Sequence, residues 1–363
     1  MRSRYSAELV RAAMSLTDAR QRAEKILPNA DELWLTRVGL QQATSWQVAQ
    51  HKAKRFPRDE DIVDLCSGIG VDTAALLQRG SVTSIDNDAA MSHRCAWNNE
   101  VWRAESKNPS TLHTLVDDAR IVNVKGKRLH ADPDRRVGRE KATKRLEHYT
   151  PDLTWMQAVI TSAKGGAIKL GPASNFIGKF RDCEIELVSL LGECREATVW
   201  FGDLAGKSTY RATCLPSGET IAGDPLAAWC PSATEVGQFL LDPDPAIVRS
   251  GLLDTIGEMH SLRRLDKEEE YMTCDELPNT SFVTSYLVEA CLPNNFRFVK
   301  KHLQGDGSRD YEVKCRRIPV NANDVQRRLP RGDGAIRTIF LLRINGRARI
   351  VIARRATNGW SSE

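Results

Sequence analysis

Apolar positions recur at helical spacing from Ala7 to about Leu27 (Leu9, Val10, Ala13, Leu16), and Pro28 breaks the run. A second helical stretch starts near Asp31. A third is expected after Ala43, where Thr44 and Gln47 form a TxxQ capping box ahead of VAQHKAKRF and before Pro57. The period then changes. IVDLC (62–66) is a short apolar run ending in the turn SGIG, VDTAALLQR returns to helical spacing, and VTSID (82–86) is a second apolar run. That is a β-α-β unit. Strands are also expected at 113–118, 128–132, 167–170, 197–202 and 211–216, with helical segments between several of them, so the pattern predicts a doubly wound α/β sheet. Beyond a Pro- and Asp-rich stretch (243–248) and a helix through Met259, the acidic patch DKEEE (266–270) reads as a domain junction. From Phe296 the spacing predicts strands at FRFVKKHL, YEVKCRRIPV, IRTIFLLRI and RARIVIAR, with a helix at NDVQRRL and a hairpin turn at Asn345-Gly346.

With 363 residues and 41% hydrophobic content, the chain supports two or three domains with real cores, which excludes disorder as its main state. A net charge of +5 is too mild to identify a polyanion binder, and its distribution says more. Residues 120–149 hold ten Lys/Arg against four Asp/Glu, and residues 296–355 hold sixteen against five, so the rest of the chain is net acidic. Two such zones fit a polyanion track or two solvated faces. None of the nine cysteines lies closer than eleven residues to its neighbour, so there is no CxxC pair, and reduced thiols in a cytoplasm are expected. The sequence shows no signal-peptide pattern and no run of roughly 20 apolar residues, so a cytoplasmic protein with no membrane partner is expected. The histidines lack HxH or HxxxH spacing and no GxSxG context occurs, so neither a metal nor hydrolytic chemistry is expected. His130 reads as a strand residue.

The first chemically informative segment is DLCSGIGVD, Asp64 to Asp72, with Asp86 ending the next strand. Gly68 and Gly70 leave the strand-to-helix turn open to a ligand, and the following helix offers unpaired N–H groups. An acid at the tip of the second strand is placed to accept hydrogen bonds from both ribose hydroxyls, which assigns that role to Asp86. A dinucleotide fingerprint would need a small residue where Thr73 stands, and Asp72 lies where a pyrophosphate would approach. Asp64 suits the cationic amino-acid end of S-adenosyl-L-methionine, which is therefore preferred over NAD. A structural glycine turn without ligand is the plainer alternative.

DLCSGIGVDTAALL followed by VTSIDND resembles motifs I and II of class I S-adenosylmethionine-dependent methyltransferases. TRVGLQQATSWQVAQHKAKRF, the DPDRR loop, IKLGP, SLLGECREATVWFGDL, RATCLPSG and YEVKCRRIPVNANDVQRRLPRGDGAIRTIFLLRINGR extend the likeness over most of residues 35–355. There it is similar to bacterial methyltransferases with a THUMP-like C-terminal domain. More distantly, ATSWQVAQHKA and DLCSGIG resemble the trimethylguanosine synthases that methylate RNA caps. The resemblance implies an α/β, Rossmann-like class I sheet with a helical N-terminal segment (1–55), a methyltransferase domain (56–222), a linker and helical connection (223–295) and a small α+β THUMP-like basic domain (296–358). It implies that Asp64, Gly68 and Gly70 line the methionine end of the cofactor, with Cys66 a small buried thiol in the same loop. Asp86, followed by Asn87, would meet the ribose, and Asp118 the adenine amino group, with Asp117 second. For either of the last two, a helix N-cap is the alternative. Thr44 and Ser45 reach the cofactor in such families, although the capping box already accounts for Thr44.

ADPDRRVGR, Asp132 to Arg139, follows the expected fourth strand, where open α/β sheets gather catalytic groups. It resembles the DPxRR segment of this family and, loosely, the DPPY-type loop of methyltransferases acting on exocyclic amines. Asp132, with Pro133, is then the group that orients the acceptor amine. Asp134 replaces the second proline of that loop, and Arg135 replaces the aromatic that would stack on a flipped base. Arg135, Arg136 and Arg139 are candidates for clamping substrate phosphate, with Lys169 facing the same mouth; pairing of Arg135 or Arg136 with Asp134 or Glu140 is the structural alternative. THUMP domains are RNA-binding modules, so RNA is the implied partner, met by Lys314, Arg316, Arg317, Arg327 and Arg328 through shape and phosphate, aromatics being sparse there. The implied activity is methylation of a nucleotide in structured RNA. A methyltransferase of a small molecule or protein, and a non-catalytic RNA-binding protein with a vestigial cofactor site, are the alternatives.

Overall fold

Ser6 starts the first helix by accepting a hydrogen bond from the Leu9 N–H (3.2 Å), and Ala19 and Ala23 become its buried side. The computed structural model describes residues 5–104, 109–136, 142–304, 306–316 and 318–356. The chain divides into two units, Met1–Leu190 with Arg195–Thr209, and Leu191–Cys194 with Tyr210–Glu363.

The first unit runs α1 (Ala7–Ala23), α2 (Arg37–Gln42), α3 (Trp46–Ala53), β1 (Ile62–Leu65), α4 (Val71–Leu76), β2 (Val82–Asp86), α5 (Ala89–Arg103), β3 (Leu112–Val116), β4 (Arg128–Ala131), a short 3-10 turn (Leu146–His148), α6 (Leu153–Ser162), β5 (Gly165–Leu170), β6 (Glu184–Leu190) and β7 (Glu193–Gly202). Its strands lie in the order β3-β2-β1-β4-β5-β7-β6. The first five are parallel, and β7 runs antiparallel to β5. The order reverses between β1 and β4, and in such sheets the crevice beyond the strand C-termini at that point takes the ligand. This is the doubly wound sheet that the hydrophobic pattern predicts.

The N-terminal helices are part of this unit's core. Ala19, Ala23, Leu33, Ala49 and Phe56 pack in one cluster with Leu76 and Trp200. Ion pairs add to the seating of α3. Lys52 Nζ lies 2.7 Å from Glu196 on β7, His51 lies 2.8 Å from Glu186 on β6, and Arg55 reaches Glu184 on the same strand. All seven residues of β6, including two glutamates, are buried, so neither alternation nor a clean apolar run marks it in the sequence.

The second unit contains β8 (Tyr210–Leu215), β9 (Glu219–Gly223), β10 (Phe239–Pro243), α7 (Pro245–Ser250), α8 (Leu253–Met259), β11 (Arg263–Arg264), β12 (Met272–Cys274), β13 (Val283–Pro293), α9 (Phe296–His302), β14 (Tyr311–Cys315), α10 (Ala322–Arg327), β15 (Arg337–Ile344) and β16 (Arg347–Arg355). β8 and β9 form an antiparallel hairpin. The remaining strands order as β11-β12-β10-β13-β16-β15-β14, antiparallel except for β14 with β15. On one side of the sheet, Val299 and Leu303 from α9 and Val325 and Leu329 from α10 pack with Ile339, Leu341, Ile350 and Ile352. Tyr271, Tyr286, Phe340, Leu342 and Val351 form a separate cluster. The Asn345-Gly346 turn has φ of +46° and +76°, the left-handed pair that a tight hairpin requires.

Three expectations change here. Residues 223–295, expected as linker and connection, supply β10 to β13, so the sheet shared with the C-terminal residues begins well before Phe296. The acidic patch 266–270 is no junction. Asp266 accepts from the Gly346 N–H (2.5 Å) and Glu269 from the Arg343 N–H (3.1 Å), so these acids hold the β15-β16 hairpin. FRFVKKHL is helical rather than extended: Asn295 caps α9 by accepting from Arg297 N–H, and Phe296, Val299 and Leu303 share one side.

Candidate cofactor and active site

The loop after β1 turns through left-handed backbone at Cys66 (φ +58°), Gly68 (+54°) and Gly70 (+87°). The two glycines serve different ends. A Cβ on Gly68 would meet nothing within 4 Å, whereas one on Gly70 would lie 2.6 Å from Asn99 Nδ2 and 2.7 Å from Cys95 Sγ, on α5. Gly70 therefore admits α5, and only Gly68 lines the opening above the strands.

That opening is a cavity of about 930 Å3, near the upper end of the roughly 300–1,000 Å3 usual for small-molecule sites. The C-terminal ends of β1 to β4 form its floor: Cys66 to Gly68, Asp86 to Asp88, Asp117 to Arg120, and Asp132 to Arg136. Residues 37–39 and 41–44, of α2 and the turn after it, form a wall. No aromatic side chain lines it among the described residues.

Asp86 holds the cavity loops in register. Its carboxylate accepts from Gly68 N–H (2.9 Å) and Asp88 N–H (2.9 Å). Burial raises its pKa, and those two N–H donors oppose the rise. Asn87 lies exposed beside it on the cavity wall. Burial, with Asp86 and Asp132 nearby, pushes the Cys66 thiol well above the ordinary range, so this cysteine is a neutral wall residue rather than a nucleophile. Asp117 and Asp118 both border the cavity. Asp118 is engaged by Arg120, from both its guanidinium (2.5 Å) and its backbone N–H (2.9 Å), which lowers its pKa to about 2. Asp117 accepts from the Asp118 N–H.

Asp64 differs from its expected position. It is fully buried and does not line the cavity. One carboxylate oxygen meets His130 Nδ1 (2.8 Å) and the other accepts from Thr73 Oγ1 (2.5 Å), so it ties β1 to β4 and α4 from below. The acid of this loop that does line the cavity is Asp72, the second residue of α4. Its Oδ2 accepts from Thr44 Oγ1 (2.6 Å), and its Oδ1 lies 3.0 Å from Lys52 Nζ. Burial pushes its pKa up, but the Lys52 ammonium, followed by His130 and Lys169, overrides this and holds it below the usual carboxylate range. The TxxQ capping box is not formed. Ser45 is the N-cap of α3 and makes no side-chain cap bond, while the Thr44 hydroxyl is spent on Asp72.

At the end of β4, Asp132 Oδ2 lies 2.5 Å from Lys169 Nζ, which also donates to the Gln42 carbonyl (3.1 Å). Burial raises the Asp132 pKa, Lys169 pulls it back, and the Asp72 carboxylate adds to the rise. Lys169 is buried behind Asp132, off the cavity wall, so its ammonium is not open to a substrate phosphate as expected. Pro133 lines the cavity beside Asp132. Asp134 accepts from Gln42 Nε2 (2.8 Å) and from Arg136 N–H (2.9 Å), and pairs through its backbone with Thr150. Arg136 donates to Gln41 Oε1 (2.9 Å), so α2 is latched to the DPDRR loop at two glutamines. Arg135 borders the cavity with no ion-pair partner among the described residues. Arg139 lies outside the described residues. These contacts escape sequence reading because Lys52, Thr44, Gln42 and Lys169 sit 20 to 127 residues from their partners.

The cavity fits a sulfonium nucleoside. It has the acids an adenosine and an ammonium need and an open Gly68, and Asp72 stands at the start of α4 where a pyrophosphate would approach. Among the described residues, no group of three or more His, Cys, Asp or Glu is arranged to hold a metal ion, and no helix is long and apolar enough to cross a membrane.

Comparison with known proteins agrees. A THUMP domain-like family model matches residues 283–355, which span β13 to β16 and so start before Phe296. Uncharacterized S-adenosylmethionine-dependent methyltransferases of Mycobacterium tuberculosis strains CDC 1551 / Oshkosh and ATCC 25618 / H37Rv are each 29% identical over 347 residues, covering 91% of this chain and 91% of each relative. A crystal structure from Porphyromonas gingivalis W83, provisionally assigned as a methyltransferase, shares the fold at 16% identity with a TM-score of 0.80, over 98% of this chain and 92% of that one. The chain is therefore a homologue of S-adenosylmethionine-dependent methyltransferases and carries a THUMP-like domain over residues 283–355.

Proposed function

We propose that this methyltransferase modifies a nucleotide of structured RNA, and that Asp132 orients the accepting group. Bound S-adenosylmethionine supplies an electrophilic methyl group on a sulfonium. Asp86 would receive the ribose hydroxyls, and Asp117 and Asp118 border the region an adenine would occupy. The observation that carries the reading is Asp132: a carboxylate fixed by Lys169 and opening onto the same cavity as Asp86. Fixed in this way, it can accept a hydrogen bond from an amine or hydroxyl and point that group's lone pair toward the methyl, so positioning does the work and no covalent enzyme intermediate is required. Arg135 would supply a planar cationic face for a nucleobase where related loops carry an aromatic.

The RNA half rests on the THUMP-like domain and on its surface. Arg297, Lys300 and Lys301 on α9, and Arg327 and Arg328 at the end of α10, are exposed, and both helices pack on the sheet through the same apolar cluster. Two of the cations singled out by sequence differ. Lys314 pairs with Asp242 (2.7 Å), and Arg316 pairs with Asp242 (2.8 Å) and Glu270, so both are spent within the unit. Arg317 lies outside the described residues. Nucleoside mass spectrometry of RNA from cells with and without the gene tests the reading: one methylated nucleoside disappears, and purified protein restores it on that RNA. An unchanged nucleoside profile would remove RNA as the substrate.

A further inference from the structure

Three charged side chains lie together beneath the cavity wall, and their charges do not balance. Lys52 Nζ sits 3.0 Å from Asp72 and 2.7 Å from Glu196, and all three are at least nine-tenths buried. One ammonium thus faces two carboxylates. Lys169 and His130 also lie near Asp72, but each is paired with an acid of its own, Asp132 and Asp64. Of the three, only Asp72 lines the cavity. Two buried carboxylates that share one ammonium are stabilised further when a second cation reaches the one that lines the cavity.

We propose that Asp72, rather than Asp64, receives the α-ammonium group at the methionine end of S-adenosylmethionine, with Lys52 and Thr44 as the positioning residues that aim its carboxylate. The proposal rests on the cofactor reading above and names the residue responsible for part of it. The ammonium is the right cation because it carries three N–H groups that a carboxylate can accept, whereas a sulfonium carries none. Asp64 is fully buried off the cavity, where Thr73 and His130 hold its two oxygens. The Thr44 hydroxyl holds Oδ2 and the Lys52 ammonium holds Oδ1, which fixes the carboxylate at the cavity wall.

Calorimetric titration of the full chain with three compounds tests this. S-adenosylmethionine has both cations, S-adenosylhomocysteine keeps the ammonium and lacks the sulfonium, and 5′-methylthioadenosine lacks both. Asp72→Asn is expected to weaken the first two by roughly 10- to 150-fold, the range for a charge-assisted hydrogen bond, and to leave methylthioadenosine within about twofold. Retained methylthioadenosine binding also reports that the variant is folded. Thr44→Val should give the same pattern with a smaller loss, and it carries the test if Asp72→Asn does not fold. Asp64→Asn should not change the ratio between S-adenosylhomocysteine and methylthioadenosine. Equal weakening of all three compounds would make Asp72 structural, loss for S-adenosylmethionine alone would assign it to the sulfonium, and no change would leave it without contact. Each of these overturns the proposal. Absence of binding by the wild-type chain to all three would instead remove the cofactor reading itself.

Discussion

Lysine and arginine do opposite work in the two units. In the first, Lys52 and Lys169 are buried and aim acids at a cavity. In the second, Arg297, Lys300, Lys301, Arg327 and Arg328 stand in water on α9 and at the end of α10, while Lys314 and Arg316 fold back onto Asp242 and lie over the rings of Tyr286 and Tyr271. A basic residue is therefore informative only once its acid partner is known. Counting charges treats all of these residues alike.

The comparison breaks most readily at the cavity. Replacing Asp132 with Ala is expected to lower turnover on the proposed RNA substrate by on the order of 100-fold or more, through lost positioning, while S-adenosylhomocysteine still binds in a calorimeter. Asp132→Asn keeps one carbonyl oxygen and should recover part of the loss. Full turnover by Asp132→Ala would end the positioning role.

What the sequence makes legible follows the same division between local and distant partners. The β1-α4-β2 unit and the strands before the DPDRR loop can be read, because their apolar runs and glycine turn are local signals. The Asn345-Gly346 hairpin is legible for the same reason. β6 is not, since Glu184 and Glu186 are buried there by α3, more than 120 residues away in sequence. α9 reads as a strand because FRFV alternates over a stretch too short to separate the two periods, and its Asn295 cap carries the decisive information. In the site, Asp86 and Asp132 stand at strand ends where the fold rule looks for them. Asp64 stands out over Asp72 in the sequence, because its partners His130 and Thr73 become visible only when β4 and α4 are packed beside it.

The second unit allows the comparison to be sharpened with salt. Joint replacement of Lys300, Lys301 and Arg327 by Ala should flatten the slope of log affinity for RNA against log salt by roughly two, at about 0.7–0.9 for each phosphate no longer neutralised. Lys314→Ala should leave that slope unchanged, because its ammonium is already paired with Asp242. A slope that responds to Lys314 and ignores the helical cations would reverse the division drawn here. Arg316→Ala should act on stability instead. It removes one cationic partner from Asp242, which keeps Lys314, and one from Glu270, and a loss of about 1–2 kcal/mol in urea unfolding is expected, below the value for a fully buried pair.

The smallest expected effect concerns pH, and it returns to the first unit. Burial and the Asp72 carboxylate raise the Asp132 pKa, and the Lys169 ammonium lowers it. The carboxylate must be ionised to accept a hydrogen bond from the methyl acceptor, so turnover should fall on the acid side as Asp132 takes up its proton. Lys169→Met removes the charge that favours ionisation, and Asp132 then protonates at higher pH. The acid limb of kcat should therefore move upward in pH. An exposed cation of α9 should not move it, so Lys300→Ala is the control for net charge. A limb that stays in place in Lys169→Met would mean that the proton taken up on the acid side belongs to another group, and that Lys169 holds Asp132 for geometry alone.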